Sequence, residues 1–66
     1  MYANGQALCE DLHFRDHAEA RVPVQVYHKG KHSDIGFINT FNLHFVQVNK
    51  NIYRRDHFTF ISRPGY

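Results

Sequence analysis

The segment Val22-Pro23-Val24-Gln25-Val26-Tyr27 decides the fold class of this chain. Its three valines alternate with residues of other types, and this period of two is typical of a half-buried β-strand. Pro23 has no N–H to donate to a neighbouring strand, so we expect it near an edge or facing away from its neighbour. The segment therefore predicts that the chain after it is built from strands.

Four further apolar runs follow this strand. Gly30 marks a turn within 28–34, and Gly36 lies inside the next run, where glycine is typical of a bulge or a sharp bend. Residues 49–51, with the sequence Asn-Lys-Asn, have the composition of a hairpin turn. The predicted strands after the first are Ile35–Phe41, Leu43–Val48, Ile52–Arg54 and Phe58–Ser62. Five such short strands in about 45 residues predict a small, strongly bent, closed barrel.

Residues 6–19 have a different pattern. They contain no Pro or Gly, and Leu8 and Leu12 are spaced i, i+4, which favours one face of a helix. Asn4 is a residue type that caps helix starts. We therefore predict a helix over about residues 6–18.

Together these patterns predict one mainly β domain over residues 1–66, with an N-terminal helix followed by a barrel over about 21–63. Alternation within the strands also predicts which apolar side chains are buried. The expected core residues are Val24, Val26, Ile38, Phe41, Val46 and Ile61, with Leu8 and Leu12 docking from the helix.

Length and composition restrict the function classes. A chain of 66 residues with 42% hydrophobic residues is a small globular domain rather than a disordered one. Cys9 is its only cysteine, so a disulfide cannot stabilise the domain, and oligomerisation is the remaining common solution. No segment has the pattern of a membrane span or a secretion signal, so we expect a cytoplasmic protein with no membrane partner. No dedicated catalytic motif occurs, so we expect neither an enzyme nor a cofactor.

Charge is uneven along the chain. Residues 1–20 carry one arginine against four acids, a formal charge of −3, whereas residues 21–66 carry seven basic side chains against two acids, a formal charge of +5. A basic region that is also rich in aromatic residues is typical of a domain with an anionic partner.

Several segments of the strand region resemble the motifs of the Sm-like superfamily. The segments similar to the first Sm motif are Val22–Tyr27, Gly30, Gly36–Asn42 and Val46–Val48. Those similar to the second are Ile52–Arg55 and Phe58–Ile61. Within the superfamily the chain looks most like the bacterial RNA chaperones of the Hfq family, because Ala3–Gln6 and Arg21–Val24 are similar to the segments that open and close their N-terminal helix. The resemblance covers about residues 3–63 and implies an SH3-like (Sm-like) barrel.

The same resemblance implies a set of RNA-binding residues. Tyr53, Arg54 and Arg55 stand where the family usually has Tyr-Lys-His, so the resemblance places all three in the RNA site. Guanidinium groups can both fork onto phosphates and stack on bases. His44 aligns with the aromatic residue on the pore side that stacks on uracil, and Gln6 aligns with a base-contacting residue at the helix start.

Two further positions complete the implied set. Tyr27 matches the aromatic residue on the opposite ring face, which takes A-rich RNA. Asn42 stands where an acidic or amide residue follows the bent second strand. The resemblance therefore implies an RNA chaperone that binds single-stranded U-rich or A-rich RNA. Together with the small core, it leads us to expect a closed homo-oligomeric ring, a hexamer.

Two other functions fit the sequence. The first is an SH3-like protein-interaction or structural barrel that does not bind RNA. The second is a small metal-binding protein, since Cys9, His13 and His17 are spaced i, i+4, i+8 and His28 and His32 form another pair. Scattered surface histidines are the simpler account of that pattern, so we predict no metal ligands.

Overall fold

The computed structural model describes residues 2–66, which form seven short β-strands and one α-helix. In chain order the elements are β1 (Ala7–Leu8), α1 (Asp11–Glu19), β2 (Val24–His28), β3 (Lys31–Gly36), β4 (Ile38–Phe41), β5 (Phe45–Val48), β6 (Asn51–Arg54) and β7 (Thr59–Ser62). Every pair of neighbouring strands is antiparallel.

The strands form two open sheets, so the prediction of a closed five-stranded SH3-like barrel is wrong. The first sheet has the order β1-β7-β2-β3, and the second has the order β4-β5-β6. Within residues 2–66 no ladder joins the two sheets. The segment Ile35–Phe41, expected as one bent strand, is divided at Phe37, where the chain leaves the first sheet and enters the second.

The helix is shorter than predicted, and it does not precede all the strands. It begins at Asp11 rather than near Gln6, because the backbone N–H groups of Cys9 and Glu10 donate to Nδ1 of His13, at 3.1 and 3.3 Å. The second bond satisfies the N–H of Glu10, the N-cap residue, which a helix start leaves without an intrahelical partner. The residues before this point run as β1, which pairs with β7 at the far end of the chain.

Leu8 and Leu12 therefore do not share a helix face. Leu8 lies in β1 and is 6% exposed, whereas Leu12 lies in α1 and is 50% exposed. Their i, i+4 spacing spans the end of a strand and the start of a helix. Asn4 does not cap α1, whose N-cap residue is Glu10.

Residues from both sheets and the helix form one hydrophobic core. The fully buried apolar side chains are Leu8, Phe14, Val24, Val26, Ile38, Val46, Val48 and Phe60. Four of the six strand residues predicted to be buried are confirmed: Val24, Val26, Ile38 and Val46. Phe41 and Ile61 are only half-buried, so the prediction is wrong for them. The buried residues of β7 are Phe60 and Ser62, and the Phe60 ring packs edge-on against Phe14 with centroids 5.4 Å apart.

A polar cluster ties β3 of the first sheet to the β5–β6 hairpin of the second. We call it the Asp34 latch, formed by Asp34, Asn49, Asn51 and Tyr53. Asp34 Oδ2 accepts a hydrogen bond from the Tyr53 hydroxyl at 2.6 Å, and Oδ1 accepts one from Asn49 Nδ2 at 3.0 Å. Burial opposes ionisation of Asp34, but the hydrogen bonds outweigh it and lower the pKa of the carboxyl. Burial first, and then the Asp34 carboxylate, raise the pKa of Tyr53 to about 12.

Gly36 is required by the close approach of Asn49 within this latch. Asn49 has a left-handed φ of 58°, and its Nδ2 donates to the carbonyl oxygen of Ile35 at 2.9 Å as well as to Asp34. A Cβ at Gly36 would lie 2.7 Å from this nitrogen. The side chain of Asn49 therefore occupies the space that a residue larger than glycine would need.

The β2–β3 hairpin closes with a tight turn at Lys29 and Gly30. Both residues have positive φ, 50° and 80°, as two-residue hairpin turns of the primed types require. The loop predicted over 28–34 is therefore reduced to two residues, and β3 already begins at Lys31. The turn places Lys29 directly before Gly30 and Lys31 directly after it.

Candidate nucleic-acid interface

Arg54 and Arg55, the predicted phosphate-binding pair, both face carboxylates of this chain. Arg54 ends β6, and its Nε and Nη2 donate to the two carboxylate oxygens of Asp56 at 3.1 and 2.9 Å. These bonds lower the pKa of Asp56. Both side chains of this pair are exposed, so the interaction is weak and exchangeable.

Arg55 is held more firmly than Arg54. Its Nη1 donates to Asp11 Oδ1 at 2.6 Å and to the carbonyl oxygen of Asn42 at 2.7 Å. The guanidinium carbon lies 4.4 Å from the centroid of the Phe14 ring, which is a cation–π geometry. The side chain is only 14% exposed. Arg55 therefore connects the start of α1 to the β4–β5 turn and has little surface left for a ligand.

His44 and Asn42 lie in the β4–β5 turn beside these arginines. Asn42 Oδ1 accepts the backbone N–H groups of His44 and Phe45, both at 2.8 Å, so this oxygen is used to build the turn. His44 is exposed. A groove of about 260 Å³ is lined by Leu43, His44, Arg54, Arg55 and Asp56. The structure thus brings four of the predicted residues together: His44, Arg54 and Arg55 line the groove, and Asn42 lies beside it, where its carbonyl oxygen accepts a hydrogen bond from Arg55.

Tyr53 and Gln6 lie elsewhere. Tyr53 is directed to the Asp34 latch, and its ring packs edge-on against Phe58 with centroids 4.9 Å apart. Gln6 lies just before β1, where its backbone carbonyl accepts the N–H of Ser62 at 2.8 Å. Its side-chain oxygen accepts the N–H of Ala3 at 3.2 Å. Neither residue lines the groove beside Arg54 and Arg55.

Tyr27 lies on the outer face of the first sheet. Its hydroxyl donates to Gln25 Oε1 at 3.2 Å, and its ring meets the edge of His32 with centroids 5.6 Å apart. Because side chains alternate along a strand, the neighbouring Val24 and Val26 point into the core while Gln25 and Tyr27 point outward. A groove of about 390 Å³ crosses this face, lined by Gly5, Tyr27, Gly30, Thr59, Ile61 and Arg63.

One cation lines this groove and two more lie at its hairpin end. Arg63 lines the groove at one end, and Lys29 and Lys31 flank its lining residue Gly30 at the hairpin tip. Lys31 pairs with His28, so its side chain leaves the sheet on the face opposite to Tyr27, and Lys29 also lines a second groove with His28, Asp56 and His57. No carboxylate in residues 2–66 forms an ion pair with any of the three. Arg63 is positioned by neutral groups only, since its Nε donates to Gln25 Oε1 and its Nη1 lies 3.5 Å from Asn4 Oδ1.

The outward residues of the first sheet include no acid. Cross-strand partners share a face of a sheet, so the pairings Gln25–Ile35, Gln25–Ile61 and Tyr27–Thr59 define this surface. Only apolar, amide, hydroxyl and aromatic side chains therefore lie between the cations. We call this surface, with Tyr27 and Arg63, the Tyr27 face; Lys29 and Lys31 lie at its hairpin edge.

Sequence reasoning missed most of the Tyr27 face. The sequence does place Lys29 and Lys31 on the two sides of Gly30, and a glycine turn in a hairpin exposes its neighbours, so this pair of exposed cations could have been predicted. Arg63 follows the last strand, and nothing in its local sequence indicates that it lies beside Gln25. Ile61 rather than Phe60 was expected on the inner face of β7, so Thr59 and Ile61 were not expected on the outer face.

The histidines and the cysteine do not form a three-ligand cluster in the part of the chain that is described. Nδ1 of His13 accepts the N–H groups of Cys9 and Glu10 and lies 3.9 Å from the Cys9 sulfur. His17 is buried, and its two ring nitrogens contact the carbonyl oxygen of His13 and the hydroxyl of Ser62 at 2.8 and 2.7 Å. The helical spacing of Cys9, His13 and His17 is broken because Cys9 lies before α1.

Comparisons of the chain with protein-family models, with curated proteins and with solved structures found no match. The one helix within residues 2–66 has nine residues and is too short and too polar to cross a membrane.

Proposed function

We propose that this chain binds single-stranded RNA through the Tyr27 face. The observation that carries the proposal is an open groove lined by the Tyr27 ring and by Arg63, with Lys29 and Lys31 at its hairpin edge; no carboxylate in residues 2–66 forms an ion pair with these three cations. Binding of single-stranded nucleic acid combines flat groups for stacking with cations that follow the backbone. The Tyr27 face has both on one surface.

Each group has a separate part in this proposal. The Tyr27 ring supplies a platform on which one unpaired base stacks, and its hydroxyl contact with Gln25 holds the ring in place. Lys29 and Lys31 supply point charges for phosphates. The guanidinium of Arg63 is oriented through Nε, so its outer nitrogens can fork onto a phosphate. An open sheet face without acids suits bases that are splayed out rather than a duplex.

The groove beside Arg54 and Arg55 is a weaker candidate for the same ligand. The Arg55 guanidinium already contacts Asp11, Asn42 and Phe14. Arg54 must first break its hydrogen bonds with Asp56 before it can bind a phosphate. The expectations of U-rich RNA on that groove, and of a hexameric ring, stay predictions. A preference for A-rich RNA at Tyr27 is likewise a prediction that the binding experiment tests.

Fluorescence anisotropy with short oligo(U) and oligo(A) strands across a salt series tests the proposal. Tyr27→Leu keeps an apolar side chain but removes the ring, and should weaken binding roughly tenfold, as expected for the loss of one stacked base. The double change Lys29→Gln and Lys31→Gln should flatten the slope of log K against log salt by about 1.4, since each phosphate contact contributes about 0.7 for a single strand.

Matched controls lie on the second sheet. Phe45→Leu removes an exposed aromatic ring there, and Arg54→Gln removes an exposed cation, so neither should change the affinity. Absence of binding at low salt would reject an RNA function. Binding that is lost in Phe45→Leu or Arg54→Gln but kept in Tyr27→Leu would retain RNA as the ligand and move the site to the β4–β5 turn.

A further inference from the structure

The second groove at the hairpin tip contains two histidines. It has a volume of about 300 Å³ and is lined by His28, Lys29, Asp56 and His57, all of which are exposed. His28 ends β2 and Lys29 follows it, whereas Asp56 and His57 belong to the turn between β6 and β7. We call it the His28 groove. Two imidazoles and a lysine therefore line one groove beside the Tyr27 face.

The fold positions both imidazoles and leaves their nitrogens free. His28 continues the inner face of β2 beyond the end of the core, and its ring lies against Phe58 with centroids 5.0 Å apart. His57 follows from a tight turn, in which the N–H groups of His57 and Phe58 both donate to the carbonyl oxygen of Arg54, at 3.2 and 3.1 Å. The histidine rings that form hydrogen bonds within residues 2–66 are those of His13 and His17. The ring nitrogens of His28 and His57 can therefore bind a ligand.

Positive charge dominates the His28 groove even while its imidazoles are neutral. Lys31 is the cross-strand partner of His28 and shares its face of the sheet. Neither Lys29 nor Lys31 forms an ion pair within residues 2–66. The carboxylate of the lining, Asp56, accepts two hydrogen bonds from Arg54, which lower its pKa and balance its charge. Two lysines without acidic partners favour an anion over a metal ion as the occupant.

The His28 groove and the groove beside Tyr27 meet at the hairpin tip. Gly30 lines the groove beside Tyr27, and its chain neighbour Lys29 lines the His28 groove. Apart from these neighbours, no atom of residues 2–66 lies within 4 Å of a Cβ built at Gly30, so the tip is open. Tyr27 and His28 leave β2 on opposite faces. A ligand that occupies both grooves therefore bends around the edge of the hairpin.

We propose that the His28 groove binds a phosphate of the same RNA strand that stacks on Tyr27, and that protonation of His28 and His57 strengthens this contact. The inference rests on the proposed RNA function. Histidine changes its charge between about pH 5 and pH 8. A charged imidazole donates from both ring nitrogens, and phosphate oxygens accept. The strand is therefore held more tightly in mildly acidic solution than in mildly basic solution.

Charged groups surround the two imidazoles from each neighbouring element. Lys29 and Lys31 come from the β2–β3 hairpin, and Arg54 and Asp56 come from the end of β6 and the turn after it. Three cations against one acid give a formal charge of +2, and protonation of both imidazoles raises it to +4. The ligand that gains affinity from this change is an anion, as the RNA backbone is.

Fluorescence anisotropy at about pH 8 and about pH 5.5, with strands of about four and about ten nucleotides, tests the proposal. The short strand covers the Tyr27 face alone and records any effect of His32, whose ring meets Tyr27. The long strand also reaches the His28 groove. One more phosphate contact adds about 0.7 to the salt slope and, at about 0.1 M salt, about fivefold to the affinity. Acidification should therefore strengthen binding of the long strand about fivefold more than binding of the short strand.

Glutamine variants identify the groups that gain the protons. The double change His28→Gln and His57→Gln keeps polar side chains that do not titrate, so it should remove the additional fivefold effect and leave the affinity at about pH 8 unchanged. His44→Gln removes an exposed histidine of the β4–β5 turn and is the matched control, which should keep the effect. His57→Gln alone alters one exposed turn residue, so it should keep the fold in circular dichroism and lose part of the effect.

The outcomes separate this inference from the proposed function. Equal pH effects on the two strand lengths would overturn the inference while leaving RNA binding at the Tyr27 face in place. Retention of the additional effect in the double variant, or its loss in His44→Gln, would overturn the inference as well. Absence of binding by either strand at low salt and at both pH values would reject the RNA function, and the inference with it.

Discussion

The substitution Gly36→Ala tests whether the contact between Gly36 and Asn49 holds the two sheets together. The new Cβ would lie 2.7 Å from Asn49 Nδ2 and 2.8 Å from its Cγ, so the amide must turn away. It then loses its bonds to Asp34 and to the Ile35 carbonyl. At about 0.5–1.5 kcal/mol for each bond, we expect Gly36→Ala to lower the free energy of unfolding by about 2 kcal/mol.

A double-mutant cycle isolates this contact. Asn49→Gly removes the amide while suiting the left-handed φ of 58°, so in that background the new Cβ of Gly36→Ala no longer meets the three atoms nearest to it. There it should be neutral or stabilising by up to about 1 kcal/mol, because alanine reduces the freedom of the unfolded chain. The coupling energy between the two sites should therefore be about 2 kcal/mol.

Urea unfolding followed by far-UV circular dichroism measures each corner of the cycle. Gly65→Ala is the matched control, since nothing lies within 4 Å of a Cβ at that position, and it should change stability little. An equal cost of Gly36→Ala in both backgrounds would refute the reasoning, because the cost would then arise away from Asn49. No cost in the wild-type background would refute it as well.

Three further predictions follow from the core and from the latch. Phe60→Ala should lower the free energy of unfolding by about 3–5 kcal/mol and unfold a domain of this size. Ile61→Ala should leave the domain folded by circular dichroism, and the reverse order of effects would show that β7 is displaced by one residue. Arg55→Gln loses the contacts with Asp11 and Phe14, so it should lower the free energy of unfolding by about 1–2 kcal/mol. An unchanged midpoint of urea unfolding would contradict this expectation. The lowered pKa of Asp34 contributes stability above the ordinary carboxyl pKa of 3.8, and this stability is lost as pH falls through the folded-state pKa. The raised pKa of Tyr53 contributes stability below pH 10, and this stability is lost as pH rises toward about 12, so thermal melts of Tyr53→Phe should lack the alkaline loss.

The sequence predicts the parts of this fold that depend on local alternation. Val24 and Val26 are buried as expected because a period of two in a strand leaves one face for the core. β1 could not be predicted, since a strand of two residues exists only through its pairing with β7. In β7 itself, Phe60 and Ile61 are adjacent and both apolar, so alternation does not say which of them faces inward.

The candidate site shows the same division between local and distant effects. The adjacent arginines at 54 and 55 are visible in the sequence, but the acid that engages Arg55 is Asp11, at the start of the helix. Tyr27 was predicted as a contact residue, while its neighbour Arg63 was not, because the two are brought together only when β2 pairs with β7. Which cations stay free of acidic partners is a property of the folded chain.

The connection of β1 to β7 has a consequence for the order of folding. The second sheet is a meander of consecutive strands, so its pairings close short loops and form readily. The first sheet needs Phe60 to find both Leu8 and Val26, and contacts between such distant residues form late. We therefore expect substitutions in the β5–β6 hairpin to slow folding, whereas substitutions at Leu8 mainly speed unfolding.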